Sequence, residues 1–172
     1  MNCTCPNCKV QNTYLGNIYS SSTDTGNTRP YLSIEPAKYK FTLIEKNWIK
    51  VEKVWGICGD CGLVWTIYDP ELISMKIKKW LKGESILGTT TTKCVSCKSN
   101  CLSWELHGPE AWPCEMRIEF IKAKFKLTLN TSPVFDIEQR VTLCPMCRIM
   151  FSKADSSEVK KKITLFEPVM CK

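Results

Sequence analysis

The sequence predicts a mainly β protein with short helices (α+β), laid out as two tandem units. Each unit is an antiparallel sheet followed by a short helix. Three observations predict this. Cys-x-x-Cys pairs recur in duplicated order, apolar and polar residues alternate over several stretches, and a helical pattern follows the first two pairs.

The duplication comes first, because a missed repeat distorts every later reading. Four pairs occur: Cys5/Cys8, Cys58/Cys61, Cys94/Cys97 and Cys144/Cys147. The first and second pairs of each set are separated by 49 residues (9–57) and 46 residues (98–143). Cys5-Pro6-Asn7-Cys8-Lys9 matches Cys94-Val95-Ser96-Cys97-Lys98 at an offset of 89. At an offset of 86, Cys58 and Cys61 fall on Cys144 and Cys147, Leu63 on Ile149, Val64 on Met150 and Trp65 on Phe151. Lys40-Phe41-Thr42-Leu43 answers Lys124-Phe125-Lys126-Leu127 at 84. These shifts in offset are differences in loop length. The polar stretch Gly88–Thr92 is the natural boundary, giving unit one as residues 1–88 and unit two as 89–172.

Period-two alternation marks strands with one buried face. Phe41 and Leu43 alternate in this way, as do Ile49, Val51, Trp55 and Ile57, with Lys53 interrupting the apolar set. In unit two, Ile121, Ala123, Phe125, Leu127 and Leu129 share one face, opposite Lys122, Lys124, Lys126 and Thr128. Each second Cys-x-x-Cys lies between two apolar runs, Trp55 to Trp65 and Val141 to Phe151, which reads as a hairpin. Asp69 is a suitable N-cap, Pro70 a first helical residue and Gly83 a stop, with Ile73, Ile77, Trp80 and Leu81 as the apolar stripe. Asp155 to Phe166 is a weaker copy of that helix. Ser20–Pro30, rich in Ser, Thr, Gly and Asn, reads as a mobile loop.

Size explains why cysteines are so many. Half of a 172-residue chain is too small to rely comfortably on one apolar core, and domains of that size are commonly stapled by metals or disulfides. The chain has twelve cysteines and one histidine. Its N-terminus lacks the basic and apolar regions of a secretory leader, and no apolar run is long enough to span a bilayer. The expectation is an intracellular chain, cytoplasmic or nuclear, in reducing conditions that favour metal-bound thiolates over disulfides.

Two residues between cysteines let one tight turn aim both sulfurs at one ion, and two such turns supply four thiolates. The expected ligands are Cys5, Cys8, Cys58 and Cys61 at one site and Cys94, Cys97, Cys144 and Cys147 at the other, holding two structural Zn2+ ions. Gly59 and Gly62 suit the second turn, and Pro6 and Pro145 stiffen two others. A redox dithiol and an iron centre are the alternatives for these thiols. Cys3, Cys101, Cys114 and Cys171 have no partner under the repeat and are read as ordinary thiols, with a register using Cys3 or Cys101 as ligand left open. This pattern resembles zinc-ribbon proteins, the rubredoxin-like class of two facing cysteine turns at the end of a sheet. The resemblance covers both halves and implies structural zinc. The gaps exceed the usual ribbon spacing of about 15–20 residues, which implies an elaborated sheet.

Charge bears on partners. Eight bound thiolates bring −8 and two zinc ions +4, which reduces the formal +7 to +3. Lysines nevertheless cluster: Lys76, Lys78, Lys79 and Lys82 on the first helix, Lys122, Lys124 and Lys126 on one strand face, and Lys160, Lys161 and Lys162 near the C-terminus. Such clusters suit phosphate contacts, and the six tryptophans include Trp48, Trp104 and Trp112 as candidates for base stacking. Trp55, Trp65 and Trp80 sit at core positions of the repeat. His107 is read as a surface residue in a turn. The leading expectation is a non-enzymatic nucleic-acid-binding or transcription-associated factor, with Lys76, Lys79, Lys122, Lys124, Lys126, Lys160 and Lys161 as contacts. The other is a protein-binding adaptor that docks on a larger assembly. No small-molecule substrate, catalytic nucleophile–base pair or membrane role is expected.

Overall fold

The computed structural model describes residues 3–22, 26–28, 31–33, 48–69, 71, 92–107, 115–121 and 132–171. The described strands are β1 (Thr13–Ser22), β2 (Gly26–Thr28), β3 (Tyr31–Ser33), β4 (Trp48–Lys50), β5 (Val54–Cys58) and β6 (Leu63–Ile67) in the first repeat. The second repeat supplies β7 (Leu102–His107), β8 (Glu115–Phe120), β9 (Val134–Asp136), β10 (Arg140–Leu143) and β11 (Ile149–Lys153), then helix α1 (Ser156–Phe166). Among the described residues this is a mainly β protein with one short helix.

The repeats do not form separate sheets. All eleven strands join one antiparallel sheet in the order β4-β3-β7-β10-β11-β6-β5-β1-β8-β9, with β2 folded back on β1. The β5–β6 and β10–β11 hairpins sit at its centre, joined through β6 and β11. There Trp65 lies opposite Phe151, its own repeat equivalent. A local two-fold relation therefore passes through that pair, exchanging β5 with β10 and β1 with β7.

The relation extends to the edges in register. Tyr31–Ser33 and Trp48–Lys50 correspond to Arg117–Glu119 and Val134–Asp136 at the same offset of 86, and the two hairpins pair internally alike. Yet the β3–β4 hairpin of the first repeat pairs with β7 of the second, and the β8–β9 hairpin of the second pairs with β1 of the first. Each repeat gives its outer hairpin to the other.

The two faces of the central strands bury different things. One carries the main apolar core: Ile18, Trp55, Ile57, Val64, Ile118, Phe135, Leu143 and Met150, with Tyr14 edge-on to Phe120. The opposite face carries Leu63, Trp65, Ile149 and Phe151 together with Cys5, Cys58, Cys94, Cys101 and Cys144. Alternation along β5 and β6 makes this division, since Trp55 and Ile57 point one way and Cys58 the other. Truncating Trp55, fully buried, falls in the class that costs about 3–5 kcal/mol.

Helix α1 begins as its sequence dictates. The Asp155 carboxylate accepts the amides of Ser157 (2.7 Å) and Glu158 (3.1 Å), so the first turn is capped. Val159 and Phe166 are buried, and the helix ends at Glu167, whose left-handed φ of 43° returns its N–H to the Ile163 carbonyl. Where the first helix is expected, Asp69 accepts the Glu71 amide at 2.9 Å as an N-cap does. The rest of that expected helix, with Lys76, Lys78, Lys79, Trp80 and Lys82, lies outside the described residues. So do the strand read at Phe41–Leu43, the boundary at 88/89, Trp112, Cys114 and all of the strand read at Ile121–Leu129 except Ile121, which is a turn residue just past β8.

Several expectations are corrected. Ser20–Pro30 is not simply a loop: Ser20, Ser21 and Ser22 pair with Thr28, Asn27 and Gly26. Polar side chains do not prevent a backbone ladder from forming, so composition alone misreads the segment. His107 is not in a turn but ends β7, opposite Tyr31. Cys3 and Cys171 are not spare thiols; they form a disulfide, with Cα atoms 5.3 Å apart. The C-terminal strand of chain brings them together: Met170 bridges to Tyr14, and the Cys171 amide donates to the Thr13 carbonyl at 2.8 Å. Thr13 Oγ1 in turn donates to the Cys3 carbonyl. Among the described residues no helix is long and apolar enough to cross a membrane.

Candidate metal centres

Every Cys-x-x-Cys turn closes in the same way. The amide four residues after the first cysteine donates to that cysteine's carbonyl: Lys9 to Cys5 (3.0 Å), Gly62 to Cys58 (3.2 Å), Lys98 to Cys94 (3.1 Å) and Arg148 to Cys144 (3.0 Å). These four donors all have positive φ, from 60° to 69°. The reversal aims both sulfurs to one side while the chain turns back into a strand.

Three of the four are not glycine. Lys9 and Lys98 turn their side chains back onto the carbonyls of Pro6 (2.8 Å) and Val95 (3.4 Å), the same bond in both repeats. Only Gly62 has no alternative, because a Cβ there would strike the Ala154 carbonyl oxygen. Gly59 supplies space and not conformational freedom: its φ is not positive, but a Cβ would lie 2.8 Å from Asn12 Nδ2 and 2.9 Å from Ile163 Cδ1.

The turns meet in pairs. At the first site Cys5 Sγ is 3.7 Å from Cys61 Sγ, and Cys8 Sγ is 3.5 Å from Cys58 Sγ and 3.7 Å from Cys61 Sγ. At the second, Cys94 Sγ is 3.5 Å from Cys147 Sγ and Cys97 Sγ is 3.4 Å from Cys144 Sγ. All four sulfurs of each group lie within 4.8 Å of one another. A tetrahedron with metal–sulfur bonds of about 2.3 Å has edges of about 3.8 Å, so each group has the size of a tetrathiolate cage. The burial pattern repeats too: first cysteine buried, second exposed, third buried, fourth half-buried.

The thiols are held by burial and amides. Burial pushes Cys5 up to about 11, against the pull of the Cys8 and Asn7 amides, and raises Cys58 further. Burial also raises Cys147, whereas at Cys144 its upward push is outweighed by the Cys147 amide, the Ser99 hydroxyl and the Cys97 and Cys147 thiols, which bring it down to about 6. A bound cation replaces the protons throughout each cage, so metal affinity falls with acid.

The eight residues read as ligands are thus brought together in the two expected groups, and the register using Cys3 or Cys101 is not adopted. Cys101 is buried beside the second group, with burial and the nearby Cys144 and Cys94 charges pushing its thiol up to about 12. It stands in register with Thr13 rather than Asn12, since Leu102 pairs with Leu143 as Tyr14 pairs with Ile57. Ser99 was not foreseen. Its hydroxyl lies 3.0 Å from Cys97 Sγ and 3.1 Å from Cys144 Sγ. The matching position in the first repeat is Val10, so the repeat pattern gives no signal for it.

The centres are well separated. β6 and β11 run antiparallel, so the two turns lie at opposite ends of a five-residue ladder, about 14 Å of strand rise apart. That excludes a shared two-metal centre, which needs about 4 Å. Of the residues read as nucleic-acid contacts, Lys160 and Lys161 are exposed on α1; Lys76, Lys79, Lys122, Lys124 and Lys126 lie outside the described residues. No family model, no curated protein and no solved structure matches the chain.

Proposed function

We propose that the protein is a non-enzymatic binding module held together by two structural Zn2+ ions, with nucleic acid as its ligand. The observation that carries the structural part is the completeness of both cages. Four sulfurs fill a tetrahedral coordination shell, leaving no position for water or substrate, and zinc favours that donor set. The nucleic-acid part rests on the lysine clusters of the sequence and on the exposure of Lys160 and Lys161. The eight caged thiols suit the intracellular location read from the sequence, and the Cys3–Cys171 disulfide stands against it.

A protein-docking role is the second reading, favoured by apolar exposure at one end of the sheet. Met146, at the tip of the last cysteine turn, is 74% exposed, and Ile67, opposite Ile149 beside that turn, is 54% exposed.

The two readings separate in one experiment. Zinc-loaded full chain is titrated into labelled single- and double-stranded DNA and RNA at two salt concentrations, with anisotropy as readout. Salt-sensitive binding, weakened by Lys160→Glu with Lys161→Glu, is expected. Absence of binding at low salt rejects the nucleic-acid reading. A nuclease-resistant stoichiometric protein partner, lost on Met146→Asp, would then identify the adaptor role.

A further inference from the structure

Strand exchange gives the two metal sites a relationship that units with separate sheets would lack. The first site is mounted on the start of β1 and the β5–β6 turn, the second on the start of β7 and the β10–β11 turn. Neither mount is completed by its own repeat. β1 is flanked by β5 on one side and by β8 of the second repeat on the other, through six residue pairs from Gly16↔Phe120 to Ser21↔Glu115. β7 is flanked by β10 and by β3 of the first repeat.

The cysteine turns themselves are tied across the repeat boundary. Just past β6, the Tyr68 amide donates to the Arg148 carbonyl at 3.0 Å, and its hydroxyl donates to the carbonyl of the ligand Cys144 at 3.0 Å. Just past β11, at the position equivalent to Tyr68, the Ala154 amide donates to the Gly62 carbonyl at 2.9 Å. Arg148 and Gly62 are themselves equivalents, each closing a cysteine turn. So the backbone leaving each central strand clamps the turn of the opposite site. Helix α1 of the second repeat adds a contact at the first site, with Ile163 Cδ1 2.9 Å from where a Gly59 Cβ would be.

We infer that the two tetra-cysteine sites load as a linked pair: metal at either site raises the affinity of the other, because each repeat completes the sheet on which the other's cysteines are mounted. This rests on the metal-binding reading above. Coordination is coupled to folding at such sites. Ordering one turn orders its mount, and that mount is the template for a hairpin whose repeat carries the second set of cysteines. The device makes the fold respond to metal as a switch rather than in two halves.

The test uses the metal-free full chain and Co2+ alone. Uptake is followed by the thiolate charge-transfer absorbance, and species are counted by native mass spectrometry. When half the sites are filled, two uncoupled identical sites leave about half of the chains with one metal, whereas a coupling of about 100-fold leaves about a tenth. Unequal uncoupled sites leave more than half, so a one-metal population clearly below half is specific to linkage and is the expected result. A one-metal population at or above half overturns the inference while leaving the two sites standing. Absence of any thiolate band overturns the metal reading as well. A second arm uses Cys8→Ser, which removes an exposed ligand from the first site. Affinity at the intact second site should fall at least tenfold, and an unchanged affinity there overturns the linkage.

Discussion

The two metal sites share a cage and differ in what surrounds it. Sulfur spacing, burial order and the left-handed residue after each cysteine turn are the same at both. Around the first site the restraint is mechanical. The Cys3–Cys171 disulfide fastens the chain two residues before the first ligand, Asn12 Nδ2 donates to Asp60 at 3.0 Å, and α1 packs against Gly59 and Gly62. Around the second site the restraint is chemical. Ser99 places a hydroxyl between two ligand sulfurs, Tyr68 donates to the Cys144 carbonyl, and Cys101 adds a buried thiol nearby. The repeat keeps the same coordination shell at both sites, as a tetrahedral four-thiolate cage requires. The next layer differs, because many arrangements can orient the same four ligands.

Removing the disulfide should break the comparison most strongly. It closes a span of 168 residues, and loss of a native bridge of this kind typically costs about 2–5 kcal/mol. In the zinc-loaded protein, Cys171→Ser should lower the thermal midpoint and raise amide exchange around Tyr14 and Met170 first. A midpoint equal to that of the parent protein would show that the fastening contributes nothing to the first site.

The next largest effect should come from substituting the residue that closes each turn. Gly62→Ala places a Cβ at a φ of +69° and against the Ala154 carbonyl, so it should cost about 2 kcal/mol or more. At the equivalent position, Arg148→Gly relieves a left-handed side chain at 60° and frees the unfolded chain, so the net change should stay within about 1 kcal/mol. Chemical denaturation of both zinc-loaded variants measures the contrast. Equal costs would mean that the Ala154 carbonyl over the first site is not what distinguishes the turns.

Ser99→Ala should give a smaller change than Gly62→Ala and the most selective one. Losing a hydroxyl that supports two ligands should weaken metal binding at the second site by about tenfold, read by competition with a chromophoric chelator. Val10→Ser, the reciprocal change, introduces a hydroxyl at the matching position of the first site and tests whether this support can be transferred.

The parts legible in sequence are those set by short-range geometry. Cys58-Gly59-Asp60-Cys61 and its three relatives specify a turn from four residues, so the eight ligands could be grouped without knowing any strand partner. Trp55 and Trp65 are buried as the repeat suggested, and Asp155 caps α1 as its place before an amphipathic run implied. Lys53 interrupts the apolar alternation where the structure breaks between β4 and β5, and its carbonyl accepts the Ile18 amide there at 2.9 Å. β1 puts Gly16 and Ser20 on the face of Tyr14 and Ile18, which breaks its apolar alternation, and β8 is a short run directly after Pro113 and Cys114, so neither strand stands out in the sequence.

By itself, the sequence determined the two cages, the duplication and the buried face of the central hairpins, since each follows from spacing or period within a few residues. Only the tertiary structure decided that the outer hairpins change places, that Cys3 meets Cys171, and that Ser99 stands beside two ligand sulfurs. Backbone ladders carry no residue code, so a strand's alternation fixes which face is buried but not which neighbour it takes. A bond spanning 168 residues depends on where the whole sheet brings its ends.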